Sequence, residues 1–181
     1  SVVAIGANNN DGNGIDSGHV RIYKNIGGTW TQIGFDINGE AAFDNSSSSL
    51  SLSSDGSVVA IGANNNDGNG TSSGHVRIYR NINDVWTQVG LDIDGELVGD
   101  EAGRSLSLSS DGSVVAIGGF RNFGGGINSG LVRIYKNISN VWAQVGSDID
   151  GETIDDLSGF HSISLSSDGS VVAIGANRND G

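Results

Sequence analysis

Three times the chain sets acidic or amide side chains at alternate positions around a glycine: Asp92-x-Asp94-Gly95-Glu96, with copies at Asp36-x-Asn38-Gly39-Glu40 and Asp148-x-Asp150-Gly151-Glu152. Hard cations such as calcium collect carboxylate, amide and carbonyl oxygens from flexible loops, so Asp92, Asp94, Glu96, Asp148, Asp150 and Glu152 are the first candidate metal ligands. A second set comes from asparagine-rich stretches, Asn9-x-Asp11-x-Asn13-Gly14 and Asn65-x-Asp67-x-Asn69-Gly70, with Ser17 and Ser73 three residues beyond the glycine. One carboxylate per loop is thin for calcium, and the third copy carries Arg121, Phe123 and Gly125 at the matching positions. Both sets also have a structural reading. The carboxylates are then solvated or paired with arginine, and the loops are polar turns tied by their own Asn and Asp side chains.

Catalysis finds less support in the residues. His19 and His75 recur together, but Leu131 takes the third position and His161 stands alone, so no Ser/His/Asp set is indicated. Carboxylate pairs are plentiful, yet every pair is a repeated feature with no copy singled out. The run Asp67-Gly68-Asn69-Gly70 lacks the Lys-Ser or Lys-Thr that a phosphate loop needs. The expectation is a non-catalytic chain. Three Asn-x-Ser/Thr acceptors, Asn45, Asn69 and Asn137, are candidate glycosylation sites if the chain passes through a eukaryotic secretory route.

The elements that must position these residues follow from a tandem repeat. Aligning the serine of "SVVAIG" gives Ser1, Ser57, Ser113 and Ser170, a period of 56, 56 and then 57 residues, the scale of propellers or arrays. Within a unit, short runs of Val, Ile, Trp and Tyr lie between Gly, Asn, Asp and Ser clusters, which predicts four short strands. Strand one is expected at about Arg104 to Ser109, strand two at Ser113 to Gly118 (Val2 to Ala7 in the first unit), strand three at His75 to Asn81 and strand four at Val85 to Val89. A tight Ser-Ser-Asp-Gly turn joins strands one and two. Strand two is apolar or small on both faces, which suits a strand between neighbouring sheets. Arg21, Arg77 and Arg133, the tyrosines 23, 79 and 135, and the tryptophans 30, 86 and 142 all recur with the period. They read as core aromatics with a polar tip to satisfy, and as arginines paired with carboxylates between sheets. The long loops between strands two and three share one face with the connections between units, and function is expected there.

Four antiparallel strands per repeat describe a propeller blade, and the run "GRSLSLSSDGSVVAIG" (Gly103 to Gly118) resembles the FG-GAP repeat of integrin-α-type propellers. Gly103 and Gly159 match the first glycine of that repeat, Gly62-Ala63-Asn64 replaces its Gly-Ala-Pro, and "GHVRIY" matches the strand that follows. The sequence is similar to proline-poor variants, with "VWTQVG" and "DIDGE", in large secreted proteins of marine microbes and algae. The resemblance implies an all-β fold of tandem four-stranded antiparallel blades, as a β-propeller segment or an open blade array. It also implies that the family's own calcium loop, between strands one and two, is replaced here by the tight turn. The expected division is 1–47, a partial blade; 48–103 and 104–160, two blades; and 161–181, the start of another. About three blades do not close a ring, so the chain is expected to be part of a longer repeat protein.

Composition sets the partners. Nine basic residues against 21 acidic give a net charge of −12, which opposes binding to nucleic acid or anionic lipid. No apolar run is long enough for a membrane span and no leader is evident. Without cysteine, stability rests on packing and hydrogen bonds. The reading is an extracellular or cell-surface structural or adhesive segment that presents an acidic, asparagine-rich loop face to other copies, other surface proteins or glycans. Calcium is its one expected cofactor. An integrin-head-like receptor or lectin domain is the alternative, and singular residues such as Phe120, Arg121 and Phe123 would favour it.

Overall fold

The structure is a computed structural model that describes residues 1–120 and 126–179. Arg121, Phe123 and Gly125 lie outside the described residues. The chain is all-β, built from antiparallel sheets laid down in sequence order. The first sheet contains β1 (Val2–Ala7), β2 (His19–Ile26), β3 (Thr29–Gln32) and β4 (Ile37–Asn38). The second contains β5 (Ser49–Leu52), β6 (Val58–Ala63), β7 (His75–Ile82), β8 (Val85–Gln88) and β9 (Ile93–Asp94). The third repeats this as β10 (Ser105–Leu108), β11 (Val114–Gly119), β12 (Leu131–Ile138), β13 (Val141–Gln144) and β14 (Ile149–Asp150). A pair, β15 (Ser158–Leu165) and β16 (Val172–Ala176), ends the described chain. Each full unit thus has the four strands expected plus a fifth of two residues, which pairs with the start of strand three through Ile93↔Val76 and Asp94↔His75. The sheets change between β4 and β5, between β9 and β10 and between β14 and β15, and β15 starts at Ser158.

Local sequence explains each turn. Strands three and four are joined by Gly27-Gly28, Asn83-Asp84 and Ser139-Asn140, all with positive φ, the two-residue geometry whose twist matches the flanking strands. The side-chain oxygens of Asn25, Asn81 and Asn137 accept from the backbone N–H of Gly28, Asp84 and Asn140 and close the turn. In the turn between strands one and two, Asp111 Oδ1 accepts from Ser109 Oγ, Ser113 Oγ and Ser113 N, while Ser109 Oγ accepts from Val114 N. Successive turns are also linked across units, Ser54 N donating to Ser110 O and Ser110 N to Ser167 O. The turn glycines sit on the preceding unit: a Cβ on Gly112 would lie 2.7 Å from that of Val58, and one on Gly169 would lie 2.7 Å from that of Val114.

These turn carboxylates set an acid limit. Hydrogen bonds from Ser166 and Ser170 hold Asp168 down to about 2, and the same cradle lowers Asp55 and Asp111, led by the Ser57 and Ser113 backbone N–H groups. A carboxylate whose folded pKa lies below its unfolded value, about 4, stabilises the fold above that unfolded value and loses the contribution as pH falls through the folded one. Asp168→Asn is therefore expected to lose less stability than the parent between about pH 4 and pH 2. Urea melts by tryptophan fluorescence across that range check it, and equal losses would refute the assignment.

Cores form between units rather than within them. Strand two is sandwiched as its two apolar faces require: Val58 and Ala60 of β6 pack toward the third unit with Leu106, Leu108, Val115 and Ile117, while Val59 and Ile61 pack toward the first with Val20, Ile22 and Ile37. The tryptophans span the same junctions, Trp86 Nε1 donating to Ile33 O at 2.9 Å and Trp142 Nε1 to Val89 O at 2.7 Å. Ile61, which lies between two units, is 1 % exposed.

Candidate functional site

The Asp-x-Asp-Gly-Glu segments do not gather their own carboxylates. Each is an extended crossing rather than a loop, so alternate side chains point to opposite sides. Asp36, Asp92 and Asp148 accept from Gln32, Gln88 and Gln144 of their own sheet at 2.7, 2.5 and 2.7 Å. Glu40 and Glu96 instead reach the arginine of the next unit, Glu40 Oε1 lying 3.3 Å from Arg77 Nη1 and Glu96 Oε2 2.9 Å from Arg133 Nη2. The expected pairing of arginines with carboxylates between sheets is thus present. Glu152 accepts from Asn179 at 3.4 Å. Asp94 and Asp150 sit in the two-residue strands opposite His75 and Leu131, and burial, then the charge of Asp92, pushes the Asp94 carboxyl up. Among the described residues, the one trio of His, Cys, Asp or Glu ligand atoms within 4.8 Å of one another is Glu40, His75 and Asp92, drawn from two units. Neither Asp92, Asp94 and Glu96 nor Asp148, Asp150 and Glu152 forms such a trio.

The asparagine loops spend their side chains on hydrogen bonds within the loop and to neighbouring segments. Asp11 Oδ1 and Asp67 Oδ1 accept from the N–H of Asp16 and Ser72. Asn13 Nδ2 donates to Gly39 O and Glu40 O, and Asn69 Nδ2 donates to Gly95 O and Glu96 O, so both tie the loop to the crossing segment. Asn9 Nδ2 donates to Asp16 Oδ1. Asn65 Nδ2 donates to Asn45 Oδ1 at 2.6 Å. The polar-turn reading describes this arrangement.

The three glycosylation candidates are likewise engaged. Asn45 Nδ2 donates to Asn8 O, Asn69 Nδ2 to the two carbonyls above, and Asn137 Nδ2 is buried at the end of β12. Each nitrogen that would carry a glycan is therefore bonded or enclosed in this fold.

Two features escaped the sequence reading. Asp44, Asp100 and Asp156 recur at the unit spacing and are all buried. They tie the connection between units, with Ala41 N donating to Asp44, Glu96 N and Leu97 N to Asp100, and Thr153 N to Asp156. The second is an irregularity. Ser113 lies ten positions after Gly103, but Ser170 lies eleven after Gly159, and the extra residue is taken up where the β15–β16 register shifts between Ser158 and Ile163. Bulges of this kind re-aim side chains and are common beside functional sites.

Here the bulge delivers Phe160 and His161 to a cleft of about 580 Å³ on the long-loop face. Five asparagines (8, 9, 45, 64 and 65) line it with Ser48 and Arg104. Arg104 lies over the Phe160 ring at 4.7 Å, and the Phe120 ring stands 4.9 Å from Phe160. His161 meets Phe160 edge-on at 4.2 Å. The result is an amide-rich basin, in which Asn8 and Asn9 have Asn64 and Asn65 as repeat equivalents, with one wall formed by an aromatic cluster that the other units do not repeat. Grooves beneath Trp86 and Trp142 do repeat from junction to junction, which marks them as consequences of stacking.

No family model matches the chain, and no curated protein does. Among solved structures, the chain is similar to a proposed 6-phosphogluconolactonase from Bacteroides uniformis, with 15% identity and a TM-score of 0.57 over 86% of this chain and 40% of that one. The chain therefore spans less than half the length of that structure. At this identity the likeness shows the all-β fold alone.

Proposed function

We propose that the chain is a segment of an extracellular adhesive β-propeller or blade array, FG-GAP-like in its repeat, that binds a neutral glycan in the amide-lined cleft and performs no catalysis. The observation that carries this reading is the extra residue between Gly159 and Ser170, taken up at the β15–β16 register shift, which sets Phe160 and His161 against Arg104 where the other units have no aromatic residue. Side-chain amides both donate to and accept from sugar hydroxyls, and an aromatic ring offers the apolar face that a pyranose covers. The cleft volume falls in the range usual for small-ligand sites. A neutral glycan meets no penalty from the net charge of −12.

The test is a neutral-glycan panel followed by calorimetry on each hit. Binding is expected in the parent chain and should weaken about tenfold in Phe160→Ala, roughly the worth of one aromatic contact. No binding at millimolar glycan would overturn the reading. So would hydrolysis of 6-phosphogluconolactone that disappears in His161→Ala, because the fold of the solved relative would then have brought its named activity with it.

A further inference from the structure

The junction between the first and second units departs from the repeat pattern, and the departure assembles a ligand set. In the first and third units the arginine of strand three is clamped to the aspartate of its own crossing segment. Arg21 Nε lies 3.1 and 3.0 Å from the two oxygens of Asp36, and Arg133 Nε lies 3.0 Å from Asp148. In the second unit Arg77 turns away, donating from Nη2 to Asn38 O at 2.9 Å and facing Glu40 through Nη1, and its buried Nε has no partner. Asp92 is thereby released from arginine.

What Asp92 faces instead is His75. The imidazole is almost fully enclosed, with a side-chain exposure of 2 %, and its Nδ1 stands 3.6 Å from Asp92 Oδ2 and 3.9 Å from Glu40 Oε2. Both distances exceed hydrogen-bond reach, so a buried polar ring is aimed at two oxygens without bonding either. They are close to the separation between neighbouring ligands around one small divalent ion, given metal–ligand bonds of about 2 Å. The remaining oxygens are fixed from outside: Gln88 Nε2 holds Asp92 Oδ1 at 2.5 Å, and Arg77 Nη1 lies 3.3 Å from Glu40 Oε1. Outer partners of this kind orient carboxylate ligands at metal sites.

We propose that Glu40 Oε2, His75 Nδ1 and Asp92 Oδ2 bind a first-row divalent metal ion, with water completing the shell, and that this ion staples the first unit to the second. One imidazole and two carboxylates suit zinc or its neighbours better than calcium, which takes oxygen ligands. Electrostatics agrees with the geometry. Burial, followed by the Arg77 charge, pushes the His75 imidazole down to about 4, so the ring is neutral near pH 7 and its lone pair is available. Burial, opposed by Arg77 and reinforced by Asp92, Asp44 and Asp94, pushes the Glu40 carboxyl up. Leu131 removes the imidazole from the third unit, so the junction between the second and third units lacks the set. It is separate from the proposed glycan cleft and stands or falls without it.

The test is titration of the metal-free full chain with Zn²⁺ by calorimetry and with Co²⁺ by visible absorption. One equivalent per chain is expected, with a cobalt band showing nitrogen ligation and a melting temperature that rises with Zn²⁺. His75→Leu copies a residue the repeat already accommodates at position 131, and Glu40→Gln keeps an oxygen toward Arg77. Each should weaken Zn²⁺ binding at least tenfold, while His19→Leu should leave it unchanged. Absence of saturable binding at millimolar Zn²⁺ overturns the proposal, as does a single site that persists in both His75→Leu and Glu40→Gln. Should His75→Leu fail to fold, Glu40→Gln decides.

Discussion

Gly95→Ala is expected to cost about 3 kcal/mol, the upper part of the range for forcing a group into filled space, and to lower the melting temperature by about 10 °C in a chain of this length. A Cβ on Gly95 would lie 2.0 Å from Ser73 O, and Gly39 and Gly151 meet Ser17 O and Ser129 O at 1.9 and 2.0 Å. The obstacle is backbone, which cannot rotate aside as a side-chain tip can. None of these three glycines has a positive φ, so the requirement is for space and not for a left-handed conformation. In a cation loop the glycine serves a sharp turn; here it lets the fifth strand run beneath the loop between strands two and three. Gly12→Ala is the control: its Cβ would meet side-chain oxygens rather than backbone, Asn10 Oδ1 at 2.9 Å and Asn38 Oδ1 at 3.7 Å, and less than about 1 kcal/mol is expected. Thermal melts of both variants check the contrast, and a Gly95→Ala chain as stable as the parent would remove close approach as the reason for this repeated glycine.

That glycine shows where the sequence was legible and where it was not. Strands one to four could be read because β-branched residues alternate with turn residues on a local scale, and strand two was read as sandwiched because "VVAIG" is apolar on both faces. Ile37 and Ile93 were read as parts of a loop, although they are buried, because two residues carry no periodicity and their strand exists only through a long-range approach to strand three. The repeated arginines announced an ion pair between sheets, but their spacing could not say that Arg77 would abandon its own aspartate for Glu40. The calcium reading of Asp92, Asp94 and Glu96 counted carboxylates along the chain, whereas the fold deals them to different neighbours. The Phe160–His161 bulge did leave a sequence trace, the period of 57 in place of 56. Its meaning needed the third dimension, since an inserted residue alone does not reveal which wall of which cleft it joins.

The largest electrostatic effect should come from the Arg133 junction, and its asymmetry is the informative part. Arg133 is buried, with a side-chain exposure of 7 %, and is held by Asp148 at 2.8 Å and Glu96 at 2.9 Å. Burial opposes its charge, yet the hydrogen bond and charge of Asp148, with Glu96 behind them, raise its pKa above the ordinary value. The same contact with Arg133 lowers the Asp148 carboxyl. The carboxylates are better hydrated, Glu96 in particular at 60 % exposure. Removing the cation leaves two groups that water can serve, whereas removing the carboxylates strands a cation that water cannot reach, the expensive way to break a buried pair. Arg133→Met, which keeps the apolar stem, should therefore cost about 1 kcal/mol, and the double change Asp148→Asn with Glu96→Gln about 3 kcal/mol. Glu96→Gln alone should account for well under about 1 kcal/mol of that, because an exposed partner is screened by solvent. Guanidinium melts of the three variants measure the order directly. If Arg133→Met proves the most damaging, the arginine contributes through attraction beyond what its burial costs, and the junction is an electrostatic clamp rather than a packed surface with a neutralised charge inside it.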